Sequence, residues 1–154
     1  MQAGAALGKL AGMAIRRMKA DDAADVAGLS RELGYPADAE QIRGRIGSMN
    51  ASDLLLIAAG GNGRAVAFIH AHLSCAIEVG PRVEILGLVV SAKAKRNGIG
   101  RILLAEVEEW SRDLGVDAVV VRSNTARTES HAFYPAVGYK LKKTQAVYEK
   151  KLRD

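Results

Sequence analysis

Cysteine is nearly absent from this chain of 154 residues, since Cys75 stands alone. A single thiol cannot form an intrachain disulfide, so the fold must be held together by a hydrophobic core. Disulfide-free chains are typical of reducing compartments, and we therefore expect a cytoplasmic location. Runs of consecutive apolar residues are also short, well below the roughly 18 that a membrane-spanning helix needs, so we expect no membrane partner.

Aromatic residues are scarce at 5% of the chain, and basic residues outnumber acidic ones, which gives a net charge of +5. A basic balance favours a polyanionic ligand, either a nucleic acid or a phosphate-rich cofactor. The few aromatic side chains form no stacking motif for bases, so we expect no nucleic-acid partner. A nucleic-acid-binding domain stays open as a rival interpretation, which steeply salt-dependent binding would reveal.

The first 12 residues are rich in alanine and glycine and contain one lysine and no acid. Their apolar run is too short for a signal peptide, so we interpret residues 1–12 as a loose leader. Residues 13–154 then form one domain, a length that suits a single core.

Hydrophobic periodicity predicts an alternation of strands and helices along this domain. Only one strand–helix–strand unit is clear, which predicts a mixed sheet containing one parallel pair. Predicted strands cover residues 14–18, 54–59, 65–73, 82–90 and 117–122, with a closing hairpin of 139–141 and 145–151. Predicted helices cover residues 22–33, 38–49, 98–114 and 127–137.

The most informative motif lies between a buried strand and a long helix, and it reads Lys95-Arg96-Asn97-Gly98-Ile99-Gly100-Arg101. Its two glycines allow a tight turn and leave backbone amides uncovered. Amides at a helix N-terminus form an anion-binding site together with the helix dipole, and the three basic side chains add positive charge. A pyrophosphate fits such a turn better than a single carboxylate.

Two other phosphate-binding motifs do not fit this run. A dinucleotide-binding loop of pattern G-x-G-x-x-G would need glycine at position 103, where the chain has Leu103. A Walker A loop would need Gly-Lys followed by Ser or Thr, and the sequence lacks that run. A glycine-rich turn without a ligand stays open from this motif alone.

The second half of the chain resembles the GNAT (GCN5-related N-acetyltransferase) superfamily through two motifs in register. The first motif is the strand Val83–Val90 followed by the turn, in which Lys95, Gly98 and Gly100 match the pattern Gln/Arg-x-x-Gly-x-Gly/Ala, with lysine in place of the usual Gln or Arg. The second is Ser123-Asn124, then His131-Ala132-Phe133-Tyr134, then Val137-Gly138-Tyr139. The resemblance covers roughly residues 15–152 and is strongest over 83–139.

The resemblance implies a fold, an activity and a cofactor. The implied fold is α/β (α+β), with a mixed, mostly antiparallel seven-stranded sheet, a central parallel pair that splays apart, and about four flanking helices. The implied activity is transfer of an acetyl group from acetyl-coenzyme A to a primary amine in a ternary complex. The residues implied to bind coenzyme A are Leu88, Val89, Val90, Lys95, Arg96, Asn97, Gly98, Ile99, Gly100, Arg101, Asn124, His131 and Tyr134.

Two residues match catalytic positions of the superfamily. Tyr134 matches the tyrosine that protonates the departing sulfur, and Glu84 has the spacing of a general-base glutamate. A lysine-like amine has a pKa of roughly 10.4 and arrives protonated, so a carboxylate near its path meets a chemical need. The alternatives are an ion pair for Glu84, packing for Tyr134 and a turn for Asn124. Pro135 should also kink the helix that holds Tyr134, because its ring opposes the carbonyl of His131.

The acceptor amine is harder to place from the sequence. Tyr35, His70 and His72 are candidates for lining its cleft, and the acceptor is a small-molecule or peptide amine. The two histidines share one strand face, but a metal site would need further ligands, so we expect no metal. A non-catalytic acyl-coenzyme A-binding module is the alternative function, and a homodimer stays open.

Overall fold

Six β-strands and four α-helices are formed by the residues that the computed structural model describes, which are 9, 10 and 12–154. These residues fall into two units, one ending at Arg122 and the other running from Ser123 to Asp154, and each is described by itself. Of the expected leader, Lys9–Leu10 forms a strand, whereas residues 1–8 and 11 lie outside the described residues. No helix within the described part of the chain is long and apolar enough to cross a membrane.

The first unit contains one mixed sheet. Its strands are β1 (Lys9–Leu10), β2 (Met13–Arg17), β3 (Asp53–Ala59), β4 (Ala65–Ala76), β5 (Gly80–Val90) and β6 (Val119–Val121). They lie side by side in sequence order, and every neighbouring pair is antiparallel except β5 and β6, which are parallel. The expectation of a mixed, mostly antiparallel sheet with one parallel pair is therefore confirmed.

Five of the seven expected strands are found among the described residues, and the two strands of the closing hairpin are not; β1 is an additional strand, which brings the sheet to six. Residues 139–154 contain neither helix nor strand, and their large apolar side chains are exposed, namely Leu141, Val147, Tyr148 and Leu152. An isolated two-stranded hairpin is marginal in water unless it packs on further strands or a helix. The segment also carries Lys140, Lys142 and Lys143 close together, and their mutual repulsion disfavours compact pairing.

Two helices cover one face of the sheet. The helix α1 (Ala23–Leu33) ends at Gly34, which takes the left-handed conformation with φ 98°, and α2 (Ala39–Ser48) begins with a capping box between Asp38 and Gln41. Buried side chains of both helices pack with residues of three strands that share this face, Ile57, Phe68 and Val89. We call this surface of the sheet the α1–α2 face.

The helix α3 (Ile99–Asp113) contacts β3, β4 and β5. Its stripe of buried residues includes Leu103, Leu104 and Val107. Successive side chains of a strand point to opposite faces, so Leu56 and Ile69 point away from the α1–α2 face, and both are fully buried. The helix α3 therefore covers the second face, and the sheet has a hydrophobic core on each side.

The sheet is interrupted at the middle of β5. The register between β4 and β5 shifts between His70 and Ala71, which pair with Gly87 and Ile85, so Leu86 is an extra residue in a β-bulge. On its other side β5 pairs with β6 only over residues 83–85. Among the described strands, residues 86–90 have no partner on that side. Pairing between β5 and β6 thus ends at the bulge.

The second unit contains the helix α4 (Thr128–Ala136). Pro135 lies inside its last turn, and the helix ends one residue later, where Val137 and Gly138 donate their amides to the carbonyls of Phe133 and Pro135. A proline this close to the helix end removes little helical hydrogen bonding, since the chain is already leaving the helix.

A bidentate ion pair ties β2 to the start of α1. Both terminal nitrogens of Arg16 donate to the carboxylate of Asp22 at 2.8 Å, and the Lys19 amide donates to it at 2.7 Å. The side chain of Asp22 is only 7% exposed. We expect Asp22→Ala to lower the free energy of unfolding by about 2 kcal/mol, because it leaves Arg16 and the Lys19 amide without their acceptor. Urea denaturation measures this change.

Asp21 supplies a matched control for this prediction. Its side chain is 98% exposed and lies 3.9 Å from Arg43, so Asp21→Ala should change the free energy of unfolding by less than about 0.5 kcal/mol. Arg16 holds the pKa of Asp22 below its usual value. The stabilisation is therefore present above the unfolded pKa of about 3.9 and is lost as pH falls through the folded value. Equal stability of the two variants at pH 7 would contradict this role.

Candidate active site

The chain between β5 and α3 makes a tight turn that leaves the start of α3 uncovered. A 3₁₀ turn at Ala92–Ala94 leads into it, and Asn97 closes it by donating from Nδ2 to the Ala94 carbonyl at 3.2 Å. Gly98 is the N-cap with φ 75°, and no side chain caps the helix. The first amides of α3 have no partner within the helix, so they are available to an external anion. We call residues 95–101 the α3 turn.

The backbone of the α3 turn is held in an uncommon conformation. Arg96 has φ 69°, a left-handed value that costs a non-glycine residue about 1–2 kcal/mol. Left-handed residues next to helical ones make adjacent amides converge, which creates a concave anion site. Strained residues of this kind concentrate where a backbone holds a ligand.

The charge of the α3 turn is entirely positive. Lys95, Arg96 and Arg101 are exposed, and the first turn of α3 contains no acidic residue. Helices commonly place an acid there to offset the positive end of the dipole, so its omission leaves the dipole free to act on a ligand. A pyrophosphate therefore fits the residues of this turn.

The unpaired edge of β5 adjoins this turn along the chain. Residues 86–90 run from the bulge to Val90 and carry Leu88, Val89 and Val90, which are the strand residues expected to bind the cofactor. Backbone groups on the edge of a strand can pair with an extended ligand as they would with another strand. The edge and the turn together offer a continuous run of backbone donors and acceptors.

Glu84 lies on the α1–α2 face, directly opposite His72 in the ladder between β4 and β5. Its carboxylate is 14% exposed and accepts from Arg122 at 2.8 Å and from Arg82 at 3.2 Å. Burial raises the pKa of Glu84, but the two arginines outweigh burial and hold it below the usual value. An ion pair was the alternative role left open for Glu84, and the structure shows two such pairs, one with Arg82 and one with Arg122.

Asp53 connects the two histidines. One oxygen of its carboxylate, Oδ1, lies 2.9 Å from Nε2 of His70 and 2.9 Å from Nδ1 of His72. Burial acts to raise the pKa of Asp53, yet the two histidine hydrogen bonds hold it below the usual value. Asp53, His72 and Glu84 are neighbours across three adjacent strands and share the α1–α2 face. We call Asp53, His70 and His72 the His–Asp–His cluster.

Sequence reasoning missed Asp53 and Arg122 as members of the site. Asp53 begins β3, and its distance along the chain from the histidines hides the contact. A strand-pairing register would have found it, because Asp53 pairs directly with His72. Within the described residues, no group of three or more His, Cys, Asp and Glu is arranged to hold a metal ion.

Three of the expected site residues belong to the second unit. Tyr134 packs edge-to-face against Phe133 and Tyr139, with ring centroids 5.1 and 5.8 Å apart. Burial raises the pKa of Tyr134, although Arg127 acts to lower it. Asn124 forms a turn in which its Oδ1 accepts from the Ala126 amide at 2.9 Å, a bond that does not use its Nδ2. His131 is exposed on α4.

Tyr35 lies in the turn between α1 and α2 and is 63% exposed. Its carbonyl accepts a hydrogen bond from the Ser30 hydroxyl at 2.6 Å, so the backbone of the turn is held in place while the ring is free. A shallow depression nearby is lined by Arg31, Pro36, Ala37, Asp38 and Gln41. None of these residues belongs to the His–Asp–His cluster or to the α3 turn.

Comparison with solved structures finds the same fold in acetyltransferases. The aminoglycoside 6'-N-acetyltransferase AAC(6')-Ih from Acinetobacter baumannii matches with TM-score 0.80 and 20% identity, over 92% of this chain and 99% of that one. AAC(6')-Iy, in complex with the bisubstrate analogue CoA-S-monomethyl-acetylneamine, matches with TM-score 0.76 and 24% identity, over 90% and 98%. A GNAT family acetyltransferase from Staphylococcus aureus matches with TM-score 0.71 and 20% identity, over 92% and 99%.

Sequence comparison with a family model agrees with this likeness in fold. No curated protein sequence matches the chain significantly. A model of the acetyltransferase (GNAT) family matches residues 9–139, which include the α3 turn, the His–Asp–His cluster and Tyr134. Because that match spans most of the sequence, this chain belongs to the acetyltransferase (GNAT) family.

Proposed function

We propose that this protein transfers the acetyl group of acetyl-coenzyme A to a primary amine, by direct attack in a ternary complex. The observation that carries the proposal is the α3 turn, where an uncapped helix N-terminus meets three basic side chains and the unpaired edge of β5. The complex of AAC(6')-Iy with an analogue that joins coenzyme A to an amine supports the same pairing of substrates. When bound, acetyl-coenzyme A supplies the acetyl thioester.

In this proposal the α3 turn holds the pyrophosphate. The amides of residues 96–101 donate hydrogen bonds to it, while the Lys95, Arg96 and Arg101 side chains neutralise its charge. Lysine at position 95 acts as a point charge, so its contact should be less directional than that of an arginine. The backbone of residues 88–90 pairs with the extended pantetheine arm.

The acetyl thioester is activated by backbone and side-chain donors. The amide of Leu88 polarises the carbonyl and stabilises the oxyanion that develops during attack. From the second unit, Asn124 binds the pantetheine arm through its Nδ2 group, His131 contacts the cofactor, and Tyr134 donates a hydrogen bond to the departing sulfur. The pKa of Tyr134 is raised by burial, so its hydroxyl stays protonated at neutral pH.

The acceptor amine approaches on the α1–α2 face in this proposal. Asp53 is a carboxylate there whose pKa is held below its usual value, so it remains charged at neutral pH and attracts an ammonium group. Glu84 is also charged, but Arg82 and Arg122 neutralise it. His70, His72 and Tyr35 line the approach. The acceptor class is therefore a cationic small molecule or a peptide amine.

A panel of amines tests the proposal. Aminoglycosides, polyamines, amino acids and a lysine peptide are each incubated with acetyl-coenzyme A and the full chain, and free thiol is measured against a control without amine. We expect at least one amine to release thiol with saturation kinetics and to gain 42 Da in mass, the mass of an acetyl group that replaces hydrogen. Coenzyme A binding without thiol release from any amine would instead identify an acyl-coenzyme A-binding module.

A further inference from the structure

The His–Asp–His cluster has the geometry of an oriented base. Nδ1 of His72 forms a hydrogen bond with Asp53, and the second ring nitrogen, Nε2, takes no part in that hydrogen bond. A carboxylate that accepts from Nδ1–H fixes the tautomer in which Nε2 carries the lone pair. Asp53 also stabilises the imidazolium that forms when Nε2 takes a proton.

The two histidines differ in accessibility. The side chain of His72 is 38% exposed, whereas His70 is 18% and Asp53 8% exposed. His70 uses Nε2 to bond Asp53, so the nitrogen at the tip of its ring is occupied. His72 can therefore meet a substrate, while His70 fixes the position of the Asp53 carboxylate.

Glu84 is less suited to accept the proton. Its carboxylate is held by Arg122 and Arg82, and these contacts hold its pKa below the usual value. A general base needs a free lone pair within reach of the proton, and both oxygens of the Glu84 carboxylate are paired with arginines. The residue directly across the ladder from Glu84 is His72, so both groups face the same space.

We propose that His72 is the general base of the acetyl transfer and that Asp53 and His70 are its positioning residues. This inference rests on the proposed function. The acceptor ammonium gives one proton to Nε2 of His72, and its nitrogen then attacks the acetyl carbonyl. The C–N bond forms and the C–S bond breaks. The second proton leaves the amine nitrogen as the amide forms and is transferred to the sulfur of coenzyme A, which leaves as the thiol. The imidazolium of His72 then releases its proton to solvent.

The charges around His72 determine the expected pH dependence. Asp53 contacts it from β3, and His70 lies on the same face of β4. Glu84 and Arg82 lie on the same face of β5, with Arg122 joined to Glu84 just after β6. The base must be neutral to act, so kcat/KM should fall on the acid side as the imidazole becomes protonated.

Two substitutions that preserve the hydrogen bonds to Asp53 distinguish the role of His72 from that of His70. His72→Asn keeps a donor at the position of Nδ1 but has no base, and His70→Gln keeps a donor at the position of Nε2. With the fastest amine of the panel, His72→Asn should lower kcat about 100-fold. It should also remove the decrease of kcat/KM at low pH, which is the acid limb of the pH profile. His70→Gln should lower kcat less than about 5-fold and retain the limb. Unchanged kcat, or an unchanged acid limb, in His72→Asn overturns the proposal.

Two further measurements test whether the variants are folded and whether the His72 ring has the expected tautomer. Calorimetric titration with coenzyme A should give the same affinity for both variants and the wild type, which shows that a loss of kcat is not a loss of folding. If no amine releases thiol, the proposed function fails, yet nitrogen NMR of the His72 ring still decides the geometry. A neutral ring with its proton on Nδ1 supports the oriented base, and a proton on Nε2 overturns it.

Discussion

Replacing Tyr134 by phenylalanine is expected to lower turnover about 100-fold while leaving the affinity for coenzyme A nearly unchanged. The ring packs against Phe133 and Tyr139, and phenylalanine preserves both contacts. Only the hydroxyl is lost, and with it the donor that we propose for the departing sulfur. Initial rates of thiol release and calorimetric titration measure the two quantities.

The size of this effect follows from the acidities involved. A thiol has a pKa of roughly 8.5 and a phenol roughly 10, so complete proton transfer to the thiolate is uphill by about 2 kcal/mol. Burial raises the pKa of Tyr134, which makes complete transfer less favourable still. Tyr134 should therefore act mainly as a hydrogen-bond donor. Tyr148→Phe removes an exposed hydroxyl as the control, and a Tyr134→Phe enzyme with unchanged kcat would refute the role.

Gly98→Val should weaken coenzyme A binding about 100-fold, equivalent to roughly 2.7 kcal/mol. Gly98 has φ 75°, a conformation that costs a residue with a Cβ about 1–2 kcal/mol and is worse for a branched side chain. The turn would relax away from the conformation that presents its amides, and a hydrogen bond to a charged phosphate is worth about 1.5–3 kcal/mol. Calorimetric titration with coenzyme A measures the loss.

Gly115 provides the matched control at the other end of α3. It has φ 76°, and a Cβ added there would have no neighbour within 4 Å, so Gly115→Val imposes a similar backbone strain without touching the α3 turn. Both variants should lose stability to urea by similar amounts, but only Gly98→Val should lose affinity. Equal affinities for the two variants would show that the α3 turn does not bind the cofactor.

Much of the first unit could be predicted from local patterns. The apolar period of α3 and the glycines that end α1 and begin α3 each act within a few residues of the chain, so the sequence is sufficient to locate them. The single strand–helix–strand unit likewise predicted the parallel pair of β5 and β6. These features depend on local conformational preferences and on burial of one helix face.

The features that the sequence could not predict depend on pairing between distant segments. Asp53 joins the site only through the register of β3 with β4, and its partners lie 17 and 19 residues away. The left-handed conformation of Arg96 runs against the preference of its residue type. The prediction of a closing hairpin was wrong because alternating apolar residues predict a strand but do not provide the neighbouring strand that stabilises it.

The most direct test of whether the α3 turn binds a diphosphate is calorimetric titration of the wild-type chain with two ligands. One is coenzyme A, and the other is pantetheine, which lacks the pyrophosphate. We expect saturable binding of coenzyme A and at least 100-fold weaker binding of pantetheine, because the turn contributes most of the charge-assisted hydrogen bonds. Equal affinity for the two ligands, or no heat with millimolar coenzyme A, would contradict the account.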